Sequence, residues 1–307
     1  MLVFIAVALA GDIRQVAHHA QDFRWEYFPL VIALTLVNYT LRFFKFHYYL
    51  GQIGVRGLPL RESARLFVAG FPLAVTPGKI GEALKGVWIS QAGGVTVARG
   101  IAVVMAERIS DGLAVLLLST LGVIASPRYW PAFAVILALL LGVVIVSQIR
   151  PLAHALLDLG ERIPVLRRLA HPLREFYEGS FALFRPSATL IAVGLGTISW
   201  FWEGVGLYLV LIGLGIPAGW QTLSVAVFVL SFSTIIGAAS TLPGGLGAAE
   251  ASIAGMLALL LGMSNGTAAA ATLLIRFATL WLGVSLGLAV WAFSRHLLAL
   301  QSAPSGE

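Results

Sequence analysis

Thr76–Glu82 reads TPGKIGE and Leu242–Glu250 reads LPGGLGAAE, and each interrupts a long apolar region, residues 60–92 and 220–262. Proline removes a backbone donor and glycine adopts non-helical dihedrals freely, so a helix stops and restarts at both places. Each region is therefore read as a broken helical hairpin, either re-entrant or made of two short spans. Around them lie unbroken apolar stretches at 28–50, 97–124, 130–149, 187–213 and 267–293. At about 1.5 Å rise per residue each can cross about 30 Å of hydrocarbon. The fold class is an all-α polytopic integral membrane protein, expected as one membrane domain over residues 1–307.

Composition supports this. Of 307 residues, 59% are hydrophobic and 11% charged, against roughly 25% charged in soluble domains. Soluble, disordered and fibrous classes are excluded. The chain has no cysteine, which removes disulfides, thiolate metal sites and cysteine nucleophiles. The first ten residues, MLVFIAVALA, are too short to span and have no preceding basic residue. They are read as the tail of a truncated or tilted span rather than a signal-like stretch.

The net charge of +6 is read as topology rather than as nucleic-acid binding. Residues 150–185 carry Arg150, Arg162, Arg167, Arg168, Arg174 and Arg185, so this segment and the C-terminus are expected on the cytoplasmic side of a cell membrane. Alternation then places Arg56, Arg61, Arg65, Arg99 and Arg295 on the same side. Leu166, Leu169, Leu173, Phe176 or Tyr177, Phe181 and Phe184 recur at helical spacing. That pattern fits either a helix in the headgroup plane or a connector packed on the cytoplasmic face.

The two hairpins look alike. Pro77-Gly78-Lys79-Ile80-Gly81 matches Pro243-Gly244-Gly245-Leu246-Gly247 at an offset of 166, and an offset of 168 carries Glu82 onto Glu250 and Arg108 onto Arg276. At an offset of 161, Arg42 falls on Glu203 and Gly54 on Gly215. We read residues 28–124 as one repeat, 130–149 as a linking span, 150–186 as an amphipathic connector and 187–293 as a second repeat. An odd number of crossings separates the copies, so the second is expected upside down, the pattern of alternating-access transporters.

Eleven charged residues fall inside apolar segments: Arg42, Lys45, Lys79, Glu82, Lys85, Glu107, Arg108, Asp111, Glu203, Glu250 and Arg276. An Arg, Lys or Asp at a helix centre costs about 2.5–3.5 kcal/mol on insertion scales, so such residues pair or face a polar cavity. Lys79, Glu82 and Lys85 are three apart on one face of the helix starting after Gly78. A helix start with glycines and a lysine suits an anion such as a lipid phosphate, while the alternative is a simple turn with Lys79 snorkelling to the surface. Gly78, Gly81, Gly244 and Gly245 belong to these turns. Arg108 and Asp111 are i, i+3 and can pair. Together with Glu107 they leave net negative charge, for which Lys79, Lys85, Arg42 and Lys45 are the candidate cations. Arg276 has no nearby carboxylate in sequence, so Glu250, Glu203 or a substrate anion must neutralise it. Arg42 and Lys45, in LRFFKFHYYL, are read chiefly as snorkelling residues in an aromatic belt, with a lipid-headgroup role as the alternative.

No metal-ligand spacing, nucleophile elbow or Walker loop is present, so neither enzyme chemistry nor a cofactor is expected. At TPGKIGE, ER..D and LPGGLGAAE the sequence resembles the lysylphosphatidylglycerol synthetase transmembrane-region family, also described as flippase-like or UPF0104 membrane proteins. The resemblance runs from about Phe28 to Arg295. In the family's bifunctional multiple peptide resistance factors, a membrane domain moves an aminoacylated phospholipid between leaflets and a soluble domain makes it. With only a short tail after the last span, the synthesising domain is expected to be missing, so the resemblance implies lipid translocation and does not support aminoacyl transfer. It implies a polar core at Lys79, Glu82, Glu107, Arg108, Asp111, Glu250 and Arg276.

The leading expectation is a flippase whose lipid headgroup is held by Lys79, Arg108 and Arg276, with Lys85 among the binding residues. The carboxylates would meet a cationic group or carry protons. The alternatives are a membrane subunit or enzyme of lipid-linked glycan or headgroup modification, or a scaffold for a separately encoded lipid-modifying enzyme. A membrane lipid is the expected partner, and nothing sets an oligomeric state.

Overall fold

The structure, a computed structural model, describes residues 21–76, 81–125, 130–161 and 169–294. Gly78 and Lys79, the N-terminal stretch, and Leu166, Arg167 and Arg168 of the connector lie outside the described residues. Among the described residues every regular element is helical. In chain order these are α1 (Phe28–Gln52), α2 (Leu60–Ala69), α3 (Gly81–Gly93), α4 (Val97–Ala125), α5 (Trp130–Gln148), α6 (Arg150–Glu161), α7 (Ala170–Leu183), α8 (Pro186–Gly213), α9 (Trp220–Ala239), α10 (Ala248–Leu261), α11 (Asn265–Arg276) and α12 (Leu282–Phe293). A π-helical turn, Phe277–Trp281, joins α11 to α12.

Among the described residues, five helical stretches are long and apolar enough to cross a membrane: Trp25–Gln52, Pro186–Gly213, Trp220–Ala239, Pro243–Leu261 and Asn265–Phe293. A sixth candidate combines Phe133–Gln148 with Arg150–Leu159, bent by 83°. Helix α4 is as long, at 29 residues, and carries Arg99, Glu107, Arg108 and Asp111. The two broken hairpins differ. The halves of the second, at 20 and 19 residues, each have spanning length, whereas α2 and α3, at 10 and 13 residues, cover only about 15 and 20 Å.

Elements recur at the offsets seen in sequence. Helix α4 (Val97–Ala125) maps onto Asn265–Phe293 at an offset of 168, and α1 and α8 end at the same relative place at 161. Both stop in one manner. Gly54 and Gly215 take left-handed φ of 94° and 86°. Val55 N–H donates to Leu50 C=O and Ile216 N–H to Leu211 C=O, each at 3.0 Å. This six-to-one bond closes a helix on a left-handed glycine.

Apolar packing gathers into two large clusters, one around Phe46, Tyr49, Phe67, Trp88 and Val103, the other around Leu207, Leu211, Val229, Ile253 and Ile275. Helix α1 lies along α8, and α4 touches α3, α7, α8 and α9. Backbones come close where glycines face each other: a Cβ on Gly100 would sit 2.2 Å from the Gly86 carbonyl oxygen. In the connector, α7 buries Gly179, Ser180 and Leu183 and packs on α4. Arg99 pairs with Glu175 at 2.7 Å, Arg174 with Asp158 at 2.8 Å and Arg150 with Glu178 at 3.4 Å. These pairs tie the connector to the bundle and to itself, as in the packed-connector reading.

Candidate functional site

A cavity of about 450 Å³ draws its wall from both large clusters, with Phe67 from one and Leu230 and Ile253 from the other. That volume lies in the range of small-molecule sites. Nine charged residues line it: Arg42, Glu82, Lys85, Glu107, Arg108, Asp111, Glu203, Glu250 and Arg276. Lys45 stands just behind, fully buried. The cavity therefore gathers the intramembrane charges that the sequence scatters over 235 positions, Lys79 excepted, which lies outside the described residues.

The first hairpin contributes α3. Its start is set by Thr76, whose Oγ1 accepts the Gly81 N–H at 3.0 Å. One turn of α3 then aims Glu82 and Lys85 at α4. Arg108 Nε donates to Glu82 Oε2 at 2.9 Å and Lys85 Nζ to Glu107 Oε2 at 2.6 Å. Lys85 also stands over the Phe46 and Phe67 rings, 4.3 and 5.3 Å from their centroids, which offsets part of the cost of burying its charge.

The second hairpin repeats the first pair. Arg276 Nε donates to Glu250 Oε1 at 2.6 Å, and both pairs are separated by 26 residues. Here the surroundings are on view. Gly244 at φ 62° turns its carbonyl to accept from Arg276 Nη2 at 3.1 Å, and Glu250 Oε2 accepts the Gly247 N–H at 2.6 Å, capping α10. Gly245 is buried in the same turn. Arg276 thus has its carboxylate, and the π turn that follows opens the ladder at the point where it leaves α11, a distortion common at functional sites. The two arginines differ in access: the Arg108 side chain is 44% exposed and that of Arg276 14%.

Two expectations are corrected. Arg108 and Asp111 do not pair with each other; Arg108 reaches α3, while Asp111 accepts from Arg42 Nη2 at 3.2 Å and from Lys45 Nζ. The cause is depth. Lys45 is 0% exposed, so it needs a carboxylate inside the bundle, and Asp111 faces it. For the same reason Arg42 and Lys45 do not snorkel. Arg42 stacks over Trp200, 5.3 Å from the ring, and turns into the cavity.

Glu203 also lines the cavity, 8% exposed, and no hydrogen bond or ion pair reaches it among the described residues. Sequence reasoning did not single out Tyr39, Phe71, Trp200, Ser233 or Thr234, all on the cavity wall. For Trp200 a signal existed, since it stands three residues before Glu203 on one helix face. Among the described residues no group of His, Cys, Asp and Glu is arranged to hold a metal.

Long apolar helices around a buried ionic cavity define a multi-pass α-helical membrane protein. Residues 1–287 match the model of the lysylphosphatidylglycerol synthase transmembrane region, and the chain belongs to that family. Membership places it among membrane proteins with a lipid-related function. It is also similar to a UPF0104 membrane protein of Methanothermobacter thermautotrophicus, 28% identical over 135 residues, which cover 41% of this chain and 39% of that protein. The match thus spans about two fifths of that relative's length.

Proposed function

We propose that the chain moves a polar-headed membrane lipid between the leaflets of a cell membrane, receiving the headgroup in the charged cavity while the acyl chains stay in the bilayer. The observation that carries this reading is the recurrence of one ion pair, Arg108–Glu82 and Arg276–Glu250, from two broken hairpins onto one cavity. A structural lock needs no cavity, and an isolated binding site needs no second copy. Two matched gates around a midplane site are what alternating access requires, with the repeats inverted and the connector on the cytoplasmic side. An anionic headgroup would enter at Arg108, the more open of the two arginines, and the step needs no bond to be made or broken in the lipid. The test is leaflet exchange of fluorescent phospholipids in vesicles containing the purified chain, read by quenching from outside. Exchange above protein-free vesicles, lost in Arg108→Gln, is the expected result. Exchange equal to protein-free vesicles for glycerophospholipids and polyprenyl-linked lipids alike would overturn it.

A further inference from the structure

We propose that Glu203 reads the headgroup and selects lipids bearing neutral hydroxyls, a polyol or sugar headgroup. That the ligand is a lipid rests on the translocation reading above; the recognition chemistry stands on the cavity itself. Glu82, Glu107, Asp111 and Glu250 each accept from an Arg or Lys. Glu203, 8% exposed and on the same wall, has no such partner among the described residues. A buried carboxyl group without hydrogen-bond donors is costly, and a ligand that supplies them would remove that cost.

Two hydroxyls on the cavity wall, Tyr39 and Thr234, have committed their protons. Tyr39 Oη already donates to the Thr279 carbonyl, and Thr234 Oγ1 to that of Leu230. What these hydroxyls have left to offer is oxygen lone pairs. Glu203 and these two hydroxyls are acceptors, which a bare phosphate, itself only an acceptor, does not satisfy; the unpartnered donors of the same wall, Arg42 Nε and Trp200 Nε1, are themselves buried.

Charge decides between the two remaining kinds of donor. Lys45 and Arg42 both sit on Asp111, so these three carry one positive charge in excess, and Glu203, within the field of Arg42, balances it. An ammonium group would add an unmatched cation to a balanced, desolvated set, which is expensive at low dielectric. A hydroxyl donates a charge-assisted hydrogen bond to the carboxylate and leaves the balance as it was. Where the lipid also carries a phosphate, Arg108 is the open cation for it.

The experiment compares four lipids of equal acyl composition on the purified full chain in detergent: phosphatidylglycerol, monoglucosyl diacylglycerol, phosphatidylethanolamine and phosphatidic acid. Binding is read by native mass spectrometry and by the rise in Tm. The first two should bind about tenfold or more tighter than the last two, the size of one charge-assisted hydrogen bond. Glu203→Gln keeps an acceptor oxygen but loses the charge, and should shrink the ranking to about threefold, whereas Glu203→Leu should abolish it. If Glu203→Leu does not fold, the wild-type ranking and Glu203→Gln still decide. Phosphatidylethanolamine ranking first and losing its place in Glu203→Gln would mean a cationic ligand and overturn the proposal. So would phosphatidic acid binding as well as phosphatidylglycerol, or no ranking at all. Hydroxyl preference without leaflet exchange would refute translocation and leave Glu203's role standing; exchange without that preference would do the reverse.

Discussion

Lys45 is fully buried in α1, and Asp111, with Arg42 beside it, holds its charge there. Removing one partner of a buried pair leaves an uncompensated charge, at a cost of about 3–5 kcal/mol. Asp111→Asn should lower the Tm of the purified protein accordingly, and Lys45→Met in the same chain should recover much of the loss. Glu250 and Arg276 behave differently because each has a second duty. Glu250 also accepts the Gly247 N–H, and Arg276 also donates to the Gly244 carbonyl. Exchanging the pair, Glu250→Arg with Arg276→Glu, keeps the charges but places a donor against a donor and an acceptor against an acceptor. The double variant should therefore be no more stable than either single one in a thermal melt, against the rescue expected of a simple ion pair. At this scale the sequence was informative about which residues matter and poor about who meets whom. Spacing along α4 allowed Arg108 to reach Asp111, yet the partners come from α3 and α1, because burial on neighbouring helices creates demands that local spacing does not contain.

At the scale of elements, α3 and α4 approach so closely that a Cβ on Gly100 would meet the Gly86 carbonyl at 2.2 Å. Gly100→Ala should separate the helices that carry Glu82 and Arg108, costing about 1–3 kcal/mol as overpacking does. A lower Tm that Gly86→Ala reproduces would check this, since Gly86 faces the Gly100 carbonyl carbon and Ile101 across the same contact. The helical segments were legible from hydropathy, and the offsets at which elements recur from glycines, prolines and charges. Gly54 and Gly215 matched in sequence and end their helices alike. What hydropathy could not separate is the difference between hairpins: both regions are apolar with a break, but Trp220–Ala239 and Pro243–Leu261 have spanning length and α2 and α3 do not. The reading of Arg42 and Lys45 as snorkelling failed for a related reason. Position along a helix says how near a residue is to its end, not which way it faces.

For the whole molecule, the ion pairs of the two halves converge on one cavity. Under the proposed function both hairpins act in each cycle, so Glu82→Gln and Glu250→Gln should each slow leaflet exchange by about tenfold or more, the effect of losing one charge-assisted hydrogen bond. Comparable slowing from both sides, at matched protein per vesicle, is the outcome to look for. A chain with one working half would respond to only one of them. The sequence by itself determined that this is an all-α membrane protein, because apolar length and helix breakers are local properties. It also singled out which charges must pair or face a polar space, because their cost in hydrocarbon is local too. Only the tertiary structure decided that, among the described residues, four cavity carboxylates are paired and Glu203 is not, and that the pairs face a common space. Pairing depends on the directions of side chains from helices far apart in sequence, and no periodicity along one helix carries that information.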